Sequence, residues 1–142
     1  MAEPGVAEVP IRSYRDLRVW QRAMDLADAT YRTTERFPAD ERYGLVTQMR
    51  RAAVSVASNI AEGHARSRKE YLRYLLVSNG SLREIETQLI LSKRLGFLGP
   101  EQAESLLQAC DQIGRMLGAL RNSLRSPQAR TPTPDPGPPN PA

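Results

Sequence analysis

Asn59, Glu62 and His64 place an amide, a carboxylate and an imidazole inside one short run of the chain. A carboxylate such as Glu62 can serve as a general acid or base, but only beside a nucleophile, a second acid or a metal at matched spacing. The sequence offers no such companion. It holds one histidine, His64, and one cysteine, Cys110, which excludes a two-histidine metal site, a Cys-rich zinc site and an internal disulfide. Catalysis, a metal and a cofactor are therefore not expected. Asn59 and Glu62, with Ser81 and Glu84 further along, read instead as a structural polar network, because an asparagine within a helix needs partners for its amide. His64, beside Gly63, reads as a helix C-terminal residue, where positive charge is favourable. Cys110 falls on an apolar stripe and reads as a small buried hydrophobe.

Arginine offers the other chemistry, phosphate binding. The formal charge is +4, but it is uneven. Residues 1–41 carry six basic and eight acidic side chains, whereas residues 42–73 carry seven basic and two acidic, a local +5. Such a field attracts phosphate backbones, and the guanidinium fork fits phosphate oxygens. Arg50, Arg51, Arg66, Arg68, Lys69 and Arg73 are the candidate nucleic-acid-binding residues. Two of them carry a structural alternative. If the chain folds back around residues 65–66, paired positions sum to about 131, and one helical turn of reach brings Arg50 or Arg51 to Glu84. Such a pair would be a strut, and at least one of the two arginines is expected to be structural.

Helices must position these groups. Leu17, Trp20, Met24, Ala27, Tyr31 and Thr34 alternate steps of three and four and mark one face of a first helix. Ser13 with Asp16 gives a start signal, and Pro38 stops the segment. Asp40 can cap a second helix with the stripe Leu45, Met49, Ala52, Val56, Ile60 and Gly63. Ser67 and Glu70 form a capping-box pattern before a third helix, whose stripe is Tyr71, Leu75, Ser78, Leu82, Ile85, Leu89 and Ser92. Gly96 and Gly99 break it, and Pro100 opens a fourth, striped by Leu106, Cys110, Ile113, Leu117, Leu120 and Leu124. No strand pattern competes. Four helices on short loops predict an all-α, antiparallel up-down-up-down four-helix bundle over residues 13–125.

Small residues add an oligomeric expectation. Ala53, Ala57 and Ala61 form one i,i+4 row, and Gly114 with Gly118 another, permitting close backbone approach within the bundle or between subunits. Val19, Leu26, Val46, Leu72, Leu76, Ile90 and Leu107 lie off the stripes or on their shoulders, and some are left for a second interface. Residues 1–12 read as a flexible N-terminus. Residues 126–142, with seven of the eleven prolines and no large apolar side chain, read as a disordered Pro-rich tail. No apolar run approaches a membrane span or a secretory region, so a cytoplasmic protein without membrane contact is expected.

The runs Asp16–Met24, Phe37-Pro38, Tyr43–Leu45, Gln48–Gly63 and Gly80–Leu89 resemble the bacterial four helix bundle protein family, which includes proteins encoded in intervening sequences of 23S rRNA genes and is related to the Avd accessory proteins of diversity-generating retroelements. The resemblance covers about residues 14–125. The run Arg50–Gly63 is its specific part, and Arg50, Arg51, Asn59, Glu62, Ser81 and Glu84 match the motif. It implies an antiparallel bundle assembled as a homopentamer. For Avd-type members it also implies a basic surface for nucleic acid and a reverse transcriptase partner. It implies no enzymatic activity. Residues and resemblance together give a non-enzymatic oligomeric accessory protein that binds RNA or DNA, with a protein-interaction scaffold, for example for a reverse transcriptase, as the alternative.

Overall fold

A computed structural model describes residues 10–125, so the expected N-terminal arm up to residue 9 and the expected Pro-rich tail lie outside the described residues. Four helices run through it: α1 (Arg18–Thr34), α2 (Thr47–His64), α3 (Arg68–Arg94) and α4 (Pro100–Arg125). There is no strand among the described residues. Each helix packs on its neighbours in the chain, and α1 closes the ring on α4. Contacts between α2 and α3 run in opposite directions: Met49 meets Ser92, Ser55 meets Ser81 and Val56 meets Ser78. The expected antiparallel up-down-up-down bundle is the fold.

The ends follow local chemistry. Ser13 and Asp16 form a full capping box, but around a single 3-10 turn, Tyr14–Asp16, that precedes α1. Before α2, the capping role expected of Asp40 falls to Glu41, whose side chain accepts from the Leu45 amide at 3.2 Å. That contact sits in a π-helical segment, Arg42–Val46, where Gly44 leaves helical geometry. Ser67 caps α3 by accepting from the Glu70 amide. The reciprocal half of that box is absent, because Glu70 turns to Arg73 instead. At the far end of α3, Phe97 N–H donates to Ser92 O and Gly96 N–H to Lys93 O, with Gly96 at φ 80°. This double closure is a Schellman motif, and the positive φ explains the glycine. Pro100 is the first residue of α4, as expected.

The stripes predicted for α2, α3 and α4 face the core, with Leu45, Leu120 and Leu124 only half-buried at its edge. In α1 the predicted face is rotated. Met24 and Tyr31 are exposed, and Val19, Ala23, Leu26, Thr30 and Thr33 are buried with Ala27 and Thr34. The reason is that threonine can hide its hydroxyl on its own helix: Thr30 donates to Leu26 O and Thr34 to Thr30 O, both at 2.7 Å. Val19, Leu26 and Val46, expected to be spare, are core residues. Cys110 is fully buried, as expected, and burial pushes its thiol up to about 12.

One small residue, Gly63, brings the end of α2 onto α3. Ala53 and Ala57 are buried within the protomer. A Cβ on Gly63 would lie 2.7 Å from Tyr74 Cβ and 3.0 Å from a Tyr71 ring carbon. Gly80, in the middle of α3, has nothing within 4 Å of such a Cβ. Gly63→Ala should therefore cost about 1–3 kcal/mol by forcing the helices apart. Gly80→Ala should gain about 0.5–1 kcal/mol by restricting the unfolded chain. Urea denaturation of the two variants checks both signs.

Candidate nucleic-acid interface

The six candidate cations occupy two places. Arg66, Arg68, Lys69 and Arg73 gather at the corner between α2 and α3. Arg50 and Arg51 lie 16 and 15 positions before Arg66, about 24 Å away along the α2 axis at 1.5 Å per residue.

At the corner, the Arg66 amide donates to Gly63 O at 3.0 Å and tightens the turn. The guanidinium carbons of Arg66 and Arg73 each sit 5.1 Å from the Tyr74 ring centroid, so one aromatic ring carries two cations. Both also have carboxylate neighbours. Arg73 Nη2 meets Glu70 Oε1 at 2.7 Å, and this hydrogen bond holds the Glu70 carboxyl below its usual range. Arg66 reaches Glu62 only at 4.0 Å. Arg68 and Lys69 are exposed and have no carboxylate in ion-pairing range among the described residues. The corner therefore keeps a net positive field. His64 closes α2, its ring edge-on to Tyr71 at 5.7 Å.

Arg50 and Arg51 border an open groove of about 590 Å³ on the outer side of α2. Tyr31, Thr47, Val54, Ser55, Ser58 and Asn59 complete its lining, which contains no carboxylate. The expected Arg–Glu84 strut does not form. Arg50 is structural, but toward α1: its Nε donates to Thr34 Oγ1 at 2.9 Å, its Nη2 to Tyr31 O at 3.2 Å, and its guanidinium carbon lies 4.4 Å from the Tyr31 ring centroid. Arg51 and Glu84 are both exposed, on outward faces of their helices.

The structure separates the four residues expected in a polar network into two pairs. Asn59 Nδ2 donates to Ser55 O at 2.9 Å and to Ser55 Oγ at 3.0 Å, and Ser55 Oγ shares a 2.8 Å hydrogen bond with Ser81 Oγ. Asn59 and Ser81 belong to it; Glu62 and Glu84 do not, because both carboxylates face solvent. Ser55, which joins the two members, was missed. Its signal was the i,i+4 spacing to Asn59. Tyr31 and Thr34 had no signal, since tertiary folding alone brings them to Arg50. No group of three or more potential metal ligands occurs among the described residues, and none of the described helices is long and apolar enough to cross a membrane.

A family model described as 23S rRNA-intervening sequence protein matches residues 15–119. Among solved structures, this fold is similar to the crystal structure of a protein of unknown function from the S23 ribosomal protein family of Bacteroides thetaiotaomicron VPI-5482. The two superimpose with a TM-score of 0.64 at 23% identity, over 72% of this chain and 97% of that one. At that identity the likeness speaks for the fold alone. No curated protein matches.

The two neighbouring arginines should differ in what they do for stability. Arg50→Ala should cost about 1–2 kcal/mol, since it removes two charge-assisted hydrogen bonds and a cation–π contact. Arg51→Ala should stay within about 0.5 kcal/mol of the parent. Urea midpoints with unchanged slopes would check this.

Proposed function

The chain belongs to the 23S rRNA-intervening sequence protein family, and on that premise we propose that it is a non-enzymatic, homo-oligomeric cytoplasmic accessory protein that binds RNA or DNA through the α2–α3 corner. The observation that carries the reading is the pair Arg68 and Lys69, exposed and without carboxylate partners, flanked by Arg66 and Arg73 around Tyr74. Two uncommitted cations supply the phosphate contacts. The neighbouring guanidinium planes on Tyr74 offer surfaces on which bases can stack.

Assembly is supported by a different surface. Leu76, Val77, Ile90 and Leu91 on α3, and Leu95 just past its end, are all exposed, which leaves apolar area for a second subunit. A pentameric ring is what the family resemblance adds to that observation. The same surface supports the second reading, a scaffold that holds another polypeptide such as a reverse transcriptase. Protein capture that survives nuclease treatment and is lost on changing the α3 surface would favour it.

Fluorescence anisotropy with labelled RNA and DNA over a salt series tests the main reading. Affinity should fall as salt rises, and Arg68→Ala/Lys69→Ala should flatten the log–log slope by about 2 on a duplex. Arg66→Ala and Arg73→Ala should each flatten it less, because their charge is shared with Glu62 and Glu70. Absence of binding at low salt, or an unchanged slope in the double variant, removes the corner as the site. In sedimentation velocity the parent should be an oligomer, and Leu91→Glu/Leu95→Glu should shift it to monomer with helicity retained. A monomeric parent would end the oligomeric part.

A further inference from the structure

The groove beside Arg50 and Arg51 is separate from the corner and has its own chemistry. Its donors and acceptors can be sorted. Arg50 spends Nε and Nη2 on α1 and keeps Nη1. Arg51 makes no hydrogen bond or ion pair with the described residues and keeps its whole fork. Two consecutive arginines lining the groove, with no carboxylate beside them, attract a compact anion, and a phosphate monoester suits the free fork of Arg51 best.

Asn59 sits at the other end of the lining, eight positions along α2 from Arg51, or about 12 Å of helix. Its orientation is fixed by chemistry. Ser55 O can only accept, so the amide atom 2.9 Å from it must be Nδ2. Nδ2 is committed to Ser55, and Oδ1 remains as an acceptor without a partner among the described residues. Between the two ends lie the exposed methyl groups of Val54 and the hydroxyl of Ser58. Arg51, Val54 and Ser58 are spaced three and four apart, so they share one helix face.

Read in order, the groove offers a cationic end, an apolar floor and an acceptor. A free phosphate would use only the first. We infer that this groove binds a single nucleotide, its phosphate monoester on Arg50 and Arg51, its base over Val54, and the amino group of an adenine or cytosine donating to Asn59 Oδ1. The nucleotide is either free or the 5′-phosphorylated end of a strand, which present the same chemistry.

Isothermal titration of the full-length protein with AMP, CMP, UMP, adenosine and inorganic phosphate tests this. AMP and CMP should bind saturably. UMP, which presents a carbonyl oxygen where CMP presents its amino group, should bind several-fold more weakly. Adenosine and phosphate should each bind more than about tenfold more weakly than AMP. Arg51→Ala should weaken AMP about tenfold or more, and Val54→Trp should block it by filling the floor; Arg51 and Val54 are exposed, so both variants should keep parental helicity. Arg68→Ala/Lys69→Ala should leave AMP binding unchanged, which separates failure here from failure of the corner. Competition by a 5′-phosphorylated oligonucleotide but not its 5′-hydroxyl form would assign the site to strand ends, and competition by neither would assign it to free nucleotides. The inference is overturned if AMP and CMP do not saturate, if phosphate binds as tightly as AMP, or if the Arg51 and Val54 variants bind like the parent.

Discussion

The close approach of α2 to α3 is the constraint on which the rest of this molecule depends. It is possible because α2 carries a glycine near its end, where a larger side chain would collide. Gly63 leaves the room that Tyr71 and Tyr74 fill. Helices this close bring serine hydroxyls into the seam, where Ser78 donates to Val56 O at 2.7 Å and Ser55 pairs with Ser81, while the buried Tyr71 hydroxyl has no partner among the described residues. For the serines, packing and polar satisfaction agree, which favours one well-defined arrangement. The tight corner follows, since the first turns of α3 can lie this close to the end of α2 only because Gly63 has no side chain against Tyr71 and Tyr74. With the corner come its exposed cations.

The sequence disclosed most where one signal decided the outcome. Apolar periodicity set the buried faces of α2, α3 and α4, and the glycine and proline after α3 set its end. It disclosed less where two signals competed. In α1 the apolar residues could be drawn into a stripe through Met24 and Tyr31, but the helix buries threonines instead, because Thr30 and Thr34 return their hydroxyls to their own backbone and Thr33 accepts from Gln102 of α4. Before α2, Glu41 outcompeted Asp40 because the chain takes a π turn that brings the longer side chain to the Leu45 amide.

The polar residues show the same limit more sharply. The motif drew attention to Asn59 and Ser81, and both are in the seam. It drew equal attention to Glu62 and Glu84, and both face water. Their register was offset, since Ser81 meets Ser55 more than one helical turn beyond the Arg50 that the expected pairing sets opposite it, and both glutamates point outward. Arg50 illustrates the point, because it turns away from Glu84 to grip Tyr31 and Thr34 across the other helix boundary. Which way a long side chain swings depends on acceptors that only the folded chain assembles. Distance along α2, not rotation, splits the basic run into a corner and a groove, since 15 and 16 positions separate Arg51 and Arg50 from Arg66.

The serine contacts carry a mechanical consequence. A slide of α3 along α2 by one helical turn, about 5.4 Å, would strand Ser55, Ser78 and Ser81 together, whereas purely apolar surfaces could slip and repack at lower cost. The two helices are thus keyed against sliding. A push applied where the chain reverses direction meets these hydroxyl contacts as well as apolar packing, so shear along the seam costs more than it would across a purely greasy one.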